Sequence, residues 1–600
     1  MATEELHLPD AEELAHIWAE IAEQVQVLLA DFSAKQQHAD PADYAPSETE
    51  IQLFTRPFET LMERISQNPM AVIEAQVGFL QDTMTLWQRT FERAMGQTTP
   101  PVIEPAKGDR RFRDEQWSES PLFDFIKQSY LLTAKYIAAS IPEVEGAQDK
   151  RGQQLEFQAR QFVDALSPSN FVATNPAVLK ETVRTGGKNL VSGLKNILED
   201  LERGKGELRI KMTDFDKFEV GKNVGASKGK VVLETPLMQL IQYEPMTEKV
   251  NTRPLLIIPP WINKFYILDL QPTNSFVRWA VENGHTVFVI SWVNPGKELA
   301  EKSFEDYMTE GSLAAIDAIE AATGQKNVNT VGYCLGGTLQ ACTLAYLAAK
   351  GDDRVKSSTF FASLTDFSEP GELGLFIDDD HLKIIDAQME RDGYMDGATM
   401  ANTFNSLRSN DLIWSFVVNN YLMGKEPMPF DLLYWNSDAT RLPRAMHHYY
   451  LREMYIDNKL VEPGALTLLD TPIDLGAVKT PVYIVSTKED HIAPWKATYA
   501  ATQLYSGPIR FILGGSGHIA GIINPPSANK YGYWTHEELP PTADEWFEHS
   551  TAHEGSWWTD WSKWVKQYAG RKVNARVPGD RDLEIIEDTP GRYVLVREVD

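Results

Sequence analysis

Apolar positions in the first third of the chain recur every three or four residues. Leu14, Ile17, Ile21 and Val25 show this spacing, which is typical of an amphipathic helix. The same periodicity predicts helices at 11–32, 51–65, 70–93, 120–139, 149–166 and 176–203. We therefore predict an all-helical N-terminal domain over residues 1–210, which either supports a dimer or docks onto a partner.

From about residue 205 the pattern changes to short apolar runs that alternate with helical ones. Strands are predicted at 230–233, 238–243, 254–258, 285–292, 328–331, 355–361, 481–486 and, as the last strand, 509–513. Such alternation predicts a mostly parallel sheet with right-handed crossovers, in a second domain over residues 211–600. Residues 366–480 interrupt it with mostly helical sequence, which we interpret as a cap inserted between two strands.

A cysteine lies where one predicted strand turns into a helix. Gly332 and Gly336 flank Cys334 as Gly-x-Cys-x-Gly, after the strand 328–331 and before a helical run at 338–350. This is the context of a nucleophile elbow, where glycines leave room for a sharp turn. A thiolate attacks thioesters readily, so cysteine suits acyl exchange between thiols and oxygens. The alternative is a cysteine packed as a small apolar side chain.

Two later strands run into polar residues that could assist this cysteine. Asp490 follows the strand 481–486, and His518 follows the strand 509–513 within a glycine-rich turn. In α/β-hydrolases the nucleophile, the acid and the histidine occur in this order along the chain, each at the carboxyl end of a strand. We predict Cys334, Asp490 and His518 as the catalytic residues.

Two neighbours remain as alternatives, His491 for the base and Glu489 for the acid. His491 adjoins Asp490, and sequence neighbours rarely face each other productively. The predicted fold class is accordingly α/β: an α/β-hydrolase fold with a helical cap insertion, preceded by an all-helical domain.

An oxyanion hole requires backbone N–H donors on two segments. The first donor is expected from Leu335, which follows the nucleophile. The second should come from the loop 259–265, where Pro259 and Pro260 have no N–H. Trp261 or Ile262 is then available, and we choose Ile262.

Composition narrows the possible partners. The 600 residues carry a formal net charge of -28, which disfavours nucleic acid or an anionic membrane as a general partner. The two cysteines, Cys334 and Cys342, would lie about 12 Å apart along one helix, too far for a disulfide. With no signal peptide, apolar span or zinc-type spacing, we expect a cytoplasmic protein without metal or cofactor.

Longer motifs resemble those of the polyhydroxyalkanoate synthases, the poly(3-hydroxyalkanoate) polymerases of storage granules. The matching stretches are 165–171, 259–272, 332–337, 402–404, 407–414, 489–495, 516–521 and 555–558. The nucleophile, acid and base of that family correspond to Cys334, Asp490 and His518. Its usual Arg-Pro-Asn-Asp is Arg-Ser-Asn-Asp at 408–411 here, which could loosen that turn.

The resemblance implies a class I-like enzyme that polymerises (R)-3-hydroxyacyl-coenzyme A, with 3-hydroxybutyryl-coenzyme A as the expected monomer. It also implies a homodimer, a cap over the site, and attachment to a polyester granule and its associated proteins. Because coenzyme A is anionic, it needs local polar and cationic groups. The candidates are Asn263, Arg408, Arg441, Arg444 and His491, together with Arg452, His447 and His448. A thiol hydrolase (thioesterase or depolymerase) and a non-catalytic granule-surface protein are the alternatives.

Overall fold

A computed structural model describes residues 26, 59–63, 65–66, 68–141 and 150–597. The predicted helix at 11–32 lies outside the described residues, apart from Gln26, as does part of the one at 51–65. The described residues form two compact units. The first runs up to Asp214 and includes Arg408–Met428, and the second comprises Phe215–Leu407 and the chain from Pro429 onward. The predicted domain boundary at residue 210 stays a prediction.

The first unit is built from helices. They are α1 (Pro69–Ala94), α2 (Pro121–Ala139), α3 (Lys150–Ala165), α4 (Pro176–Thr185) and α5 (Lys188–Arg203). The predictions at 70–93, 120–139 and 149–166 are confirmed to within one residue at each end. The single helix predicted at 176–203 is wrong. Gly186 and Gly187 take left-handed backbone angles (φ 62° and 93°), which end α4 before α5 begins.

The segment 408–428 packs within this first unit. Tyr421 Oη donates to Asp200 Oδ2 at 2.6 Å, and Asn189 Nδ2 donates to the Leu422 carbonyl at 2.7 Å. The predicted cap insertion therefore contributes residues to both units.

The described part of the second unit contains an 11-stranded mixed sheet. Its strands are β1 (Gly229–Glu234), β2 (Met238–Tyr243), β3 (Leu255–Ile258), β4 (Val287–Trp292), β5 (Val328–Tyr333), β6 (Val355–Phe361), β7 (Val482–Thr487), β8 (Ile509–Gly514), β9 (Tyr533–Thr535), β10 (Thr551–His553) and β11 (Glu587–Asp588). Their spatial order is β10-β9-β8-β7-β6-β5-β3-β4-β2-β1-β11.

The six central strands are parallel to one another; they are β8, β7, β6, β5, β3 and β4. Antiparallel strands complete both edges of the sheet. The predicted mostly parallel sheet is confirmed. The expectation that 509–513 is the last strand is wrong, because β9, β10 and β11 follow it. These strands have two or three residues each, too few for a periodic pattern to reveal.

The described part of the second unit also contains α-helices of at least six residues. They are α6 (Phe276–Glu282), α7 (Ala314–Thr323), α8 (Leu335–Ala349), α9 (Asp379–Asp392), α10 (Gly397–Leu407), α11 (Asp431–Asn436), α12 (Arg444–Tyr449), α13 (Trp495–Ala500), α14 (Ala543–Glu548) and α15 (Trp558–Val565). In β3, Leu256 and Ile258 join one buried cluster, while Leu255 and Ile257 join another. Burial on both faces explains why this strand is apolar throughout. Among the described residues, no helix is both long and apolar enough to cross a bilayer.

His285 lies buried just before β4. It is 2% exposed, and Asn251 Nδ2 lies 3.4 Å from its Nδ1. Burial, together with the nearby positive charges of Lys572 and Lys566, lowers the pKa of His285 from 6.5 to about 4. The folded protein therefore holds a neutral imidazole, whereas the unfolded chain takes up a proton below pH 6.5.

We predict an acid-sensitive contribution to stability from His285. It is fully present above pH 6.5 and is lost as the pH falls toward 4, by at most about 1.4 kcal/mol per pH unit. His285→Gln should thus reduce the drop in thermal midpoint between pH 7 and pH 5. An equal drop in wild type and His285→Gln would contradict the prediction.

Candidate active site

Cys334 lies between β5 and α8 in a strained backbone conformation. Its φ is 51° and its ψ is -123°, a region that residues other than glycine rarely adopt. Its N–H donates to the Phe361 carbonyl on β6 at 2.9 Å. Residues held in such conformations concentrate at functional sites. The side chain is partly exposed, whereas that of Cys342 is fully buried.

The flanking glycines make this turn possible. A Cβ on Gly332 would lie 2.6 Å from the Gly337 Cα, and one on Gly336 would collide with the Ile258 and Pro259 carbonyls. The prediction that both glycines leave room for a sharp turn is confirmed. The start of α8 consequently lies directly against the end of β3.

This contact brings two segments with possible oxyanion donors together. Leu335 is the first residue of α8, so its N–H has no acceptor within the helix. Ile262 lies in the loop after β3, and its carbonyl accepts the Thr440 N–H at 3.0 Å. Asn263 Nδ2 in the same loop reaches the Trp435 and Asn436 carbonyls at 3.4 Å. Asn263 therefore helps to hold the loop in place.

Asp490 and His518 form a buried pair at the carboxyl ends of β7 and β8. The distance between His518 Nδ1 and Asp490 Oδ2 is 2.7 Å. Asp490 Oδ1 accepts the N–H groups of Ile492 and Ala493, both at 2.9 Å, and Oδ2 accepts the Thr487 hydroxyl at 3.2 Å. Donors therefore surround the carboxylate and fix its orientation toward His518.

The ring of His518 interacts with both Asp490 and Cys334. Burial by itself lowers the pKa of His518. The negative charges of Asp490 and Cys334, and hydrogen bonds to both side chains, raise that pKa to about 10. The structure thus brings Cys334, Asp490 and His518 together in one hydrogen-bonded chain.

Sequence reasoning missed Tyr333, which lies between Gly332 and Cys334. Its hydroxyl donates to the His518 carbonyl at 3.1 Å, and its ring stacks on the His518 ring with centroids 5.6 Å apart. The residue that precedes the nucleophile therefore also holds the loop of the base. Its position beside Cys334 in the Gly-Tyr-Cys motif could have indicated that Tyr333 belongs to the site.

Two tyrosines from the cap region were also missed. Burial raises the pKa of Tyr450 and of Tyr455, and the negative charge of Cys334 raises both further. Both hydroxyls thus remain protonated and lie close enough to sense that charge. Phe367 packs on them, with ring centroids 6.0 Å and 4.9 Å away. Nothing in their spacing along the sequence distinguished them from core aromatics.

The candidate arginines differ in their surroundings. Arg408 belongs to the first unit, where it pairs with Asp411 at 2.6 Å. In the second unit, Arg441 stacks over Tyr394 at 4.9 Å, Arg444 pairs with Glu301, and Arg452 pairs with Asp379 at 2.8 Å.

The neighbouring histidines differ in charge. His447 is 3% exposed, and burial, with His448 beside it, lowers its pKa to about 3. The buried His447 side chain is therefore uncharged at neutral pH, and its part in coenzyme A binding stays a prediction. His448 is exposed and contacts Asp386 at 2.8 Å.

Comparisons with known proteins give a consistent result. A family model described as the N-terminus of poly-beta-hydroxybutyrate polymerase (PhaC) matches residues 108–280, and an alpha/beta hydrolase fold model matches residues 254–525. The second match agrees with the sheet order and with the cysteine at a strand–helix turn. It confirms the predicted α/β-hydrolase fold.

Curated relatives align over nearly the whole chain. A poly(3-hydroxyalkanoate) polymerase subunit from Rhizobium meliloti is 43% identical over 98% of this chain and 96% of its own. A poly(3-hydroxyalkanoate) polymerase from Methylorubrum extorquens is 46% identical over 92% and 91%. A polymerase subunit from Cupriavidus necator is 43% identical over 88% and 89%. The chain belongs to the family of poly(3-hydroxyalkanoate) polymerases and is an acyltransferase of that family.

Proposed function

We propose that this enzyme polymerises (R)-3-hydroxyacyl units from their coenzyme A thioesters through an acyl-cysteine intermediate. 3-Hydroxybutyryl-coenzyme A is the proposed monomer. The observation that supports this most strongly is the hydrogen-bonded chain from Asp490 through His518 to Cys334. It lies at the carboxyl ends of three parallel strands, where α/β enzymes bind their ligands.

Acylation begins with transfer of the Cys334 thiol proton to His518. The raised pKa of His518 means that the imidazolium is stable beside a negative Cys334. Asp490 remains ionised and orients the ring. The thiolate attacks the thioester carbonyl, and the N–H groups of Leu335 and Ile262 stabilise the oxyanion. Collapse expels the coenzyme A thiolate, which takes the proton from His518.

In elongation His518 accepts a proton a second time, now from a hydroxyl group. The hydroxyl of a monomer or chain end attacks the acyl-cysteine, and His518, now neutral, accepts its proton. Collapse forms the ester bond and returns Cys334 as a thiolate beside the imidazolium. Cys342 is unsuited to carry a second acyl group, since it is fully buried and burial raises its pKa to about 12.

The aromatic groups near Cys334 favour polymerisation over hydrolysis. Tyr450, Tyr455 and Phe367 form a mutually packed cluster, and the two tyrosines lie within electrostatic reach of Cys334. We propose that they exclude water from the acyl-enzyme while admitting the hydroxyl of a monomer. Exclusion of water would distinguish this enzyme from a thioesterase with the same catalytic residues, in which water attacks the acyl-enzyme.

Binding of the coenzyme A phosphates is assigned to Arg441 and Arg444. Arg444 is the first residue of α12, and Arg441 lies three residues before it. The ion pair of Arg444 with Glu301 is partly exposed, so a phosphate can compete with that carboxylate. We further propose a cytoplasmic homodimer located at the granule surface, where it meets the polyester and granule-associated proteins.

The central experiment incubates purified enzyme with 3-hydroxybutyryl-coenzyme A and follows thiol release and polymer formation together. Thiol release with polymer supports the proposal. Release without polymer would identify a hydrolase, and neither would identify a non-catalytic protein.

Cys334→Ala should lower thiol release by at least about 10³-fold, because the nucleophile is removed. Cys342→Ala is the matched control and should retain activity, since this thiol does not reach the site. Circular dichroism checks that both variants fold. A folded but inactive Cys342→Ala enzyme would refute the single-thiol mechanism.

His518→Gln should lower activity by about 10³-fold, because His518 is the proposed acceptor of the Cys334 proton. His491→Gln should lose far less. Steady-state rates for both folded variants, measured with the same substrate, test this difference. Equal losses would mean that His518 is not the principal base.

Neutralising Arg441 and Arg444 together should raise the apparent KM for the coenzyme A thioester about tenfold at low salt and less at high salt. Activity with a short uncharged thioester, such as an N-acetylcysteamine analogue, should stay nearly unchanged. Equal impairment with both substrates would show that these arginines support the fold instead of binding phosphate.

A further inference from the structure

Thr440 binds the loop that carries the second oxyanion donor. It is 2% exposed and lies between α11 and α12, in the segment inserted between β6 and β7. Its hydroxyl donates to the Trp261 carbonyl, and its N–H donates to the Ile262 carbonyl at 3.0 Å. One buried residue therefore holds two consecutive carbonyls of the loop 259–265.

The bond to Trp261 acts on the peptide group that contains the Ile262 N–H. The Trp261 carbonyl and the Ile262 N–H belong to one planar trans peptide group, so they point in opposite directions. A donor that fixes the direction of this carbonyl also fixes the direction of the N–H. Within the described part of the chain, the Ile262 N–H has no protein acceptor, so it is available to a substrate oxygen.

The segment around Thr440 is itself fixed against the loop. Ala439 pairs with Asn263 in a short antiparallel bridge. The Asp438 carboxylate accepts the Tyr266 hydroxyl at 2.7 Å, and Asp438 is 3% exposed. Hydrogen bonds that are shielded from water are electrostatically stronger than exposed ones. The Thr440 hydroxyl is therefore presented to the loop from a well-supported position.

The two oxyanion donors differ in what directs them. Leu335 begins α8, so the axis of that helix sets the direction of its N–H. The Ile262 N–H lies in a loop without regular secondary structure, where its direction depends on the bonds that the loop makes. An oxyanion hole works only if both donors point at the same oxygen. The contact that orients the loop peptide is therefore the one that completes the pair.

We propose that Thr440 is a positioning residue of the oxyanion hole. Its hydroxyl orients the peptide group between Trp261 and Ile262, so that the Ile262 N–H points at the oxygen that becomes negative in each tetrahedral intermediate. Thr440 acts through this peptide group and not by contact with the reacting atoms. The inference rests on the proposed acyl-cysteine chemistry, because that chemistry is what forms an oxyanion.

Thr440→Val tests this role, because valine has nearly the shape of threonine but no hydroxyl donor. The kcat for thiol release from 3-hydroxybutyryl-coenzyme A should fall at least about tenfold, since loss of a whole oxyanion donor costs about 10²–10³ in kcat. The KM should change less than about twofold, because the oxyanion exists only after the attack. Thr440→Ser keeps the hydroxyl and should retain most of the activity.

Alkylation of Cys334 separates this role from general damage to the site. The thiolate attacks iodoacetamide at a saturated carbon, where the S–C bond forms as iodide leaves and no oxyanion arises. The rate of alkylation depends on how much thiolate is present. Cys342 is fully buried, so Cys334 is the thiol that reacts. Thr440→Val should therefore be alkylated at the wild-type rate, although its acyl transfer is slow.

Thr323→Val is the matched control. Thr323 is 1% exposed, and its hydroxyl donates to the Ile319 carbonyl at 2.6 Å within α7. This variant also loses a buried bond to a backbone carbonyl, yet its kcat should be unchanged. Circular dichroism checks that each variant folds. If Thr440→Val does not fold, Thr440→Ala takes its place, because it removes the same donor without placing a methyl group against the carbonyl.

Three results would overturn the inference. One is a folded Thr440→Val enzyme with the wild-type kcat. Another is equal slowing of alkylation and acyl transfer, which would place the damage at the thiol and its base. The third is a Thr440→Ser enzyme as slow as Thr440→Val, which would assign the effect to side-chain packing. A wild-type enzyme that releases no thiol from the thioester would instead refute the proposed function, and this inference with it.

Discussion

The tight approach of backbone around Cys334 is the constraint on which the catalytic end of the sheet depends. Helix α8 starts so close to β3 that a Cβ on Gly336 would collide with the Ile258 and Pro259 carbonyls. Because the strand must turn sharply into this helix, Cys334 takes a backbone conformation with φ 51°. Strain of this kind persists only where the surrounding structure determines it. Here the parallel strands on both sides of β5 do so, and the thiol is presented beyond their ends.

A buried electrostatic chain then connects three loops that are distant in sequence. Asp490 receives N–H and hydroxyl donors from its own turn, and its remaining interaction is with His518. Tyr333 contacts His518 from the nucleophile's side. Burial disfavours a charged imidazole, yet two negative neighbours outweigh it. The site thereby stabilises a buried imidazolium beside Asp490.

The segment between β6 and β7 has more than one structural role. Part of it brings Tyr450 and Tyr455 near Cys334, while residues 408–428 belong to the helical unit. In that unit α1 packs against α2, where a Cβ on Gly78 would lie 2.8 Å from the Tyr136 hydroxyl.

The local sequence pattern was sufficient to predict many of the helices, the parallel sheet and three candidate site residues. The apolar periodicity predicted α1, α2 and α3 to within one residue at each end, and strand–helix alternation predicted the parallel sheet. The Gly-x-Cys-x-Gly turn and two later strand ends indicated Cys334, Asp490 and His518, because parallel strands end at one edge whatever their separation in sequence. These features could be predicted because a motif and an apolar period involve residues that are close in sequence.

Other features depended on contacts between distant segments. Gly186 and Gly187 broke a helix that periodicity had continued, since their left-handed backbone angles are not visible in an apolar pattern. The sequence offered no means to separate neutral His447 from exposed His448, because burial alone sets their difference. Tyr450 and Tyr455 were recognised as site residues only through the effect of Cys334 on their pKa values. Charge state and proximity are properties of packing, and packing is decided by the tertiary structure.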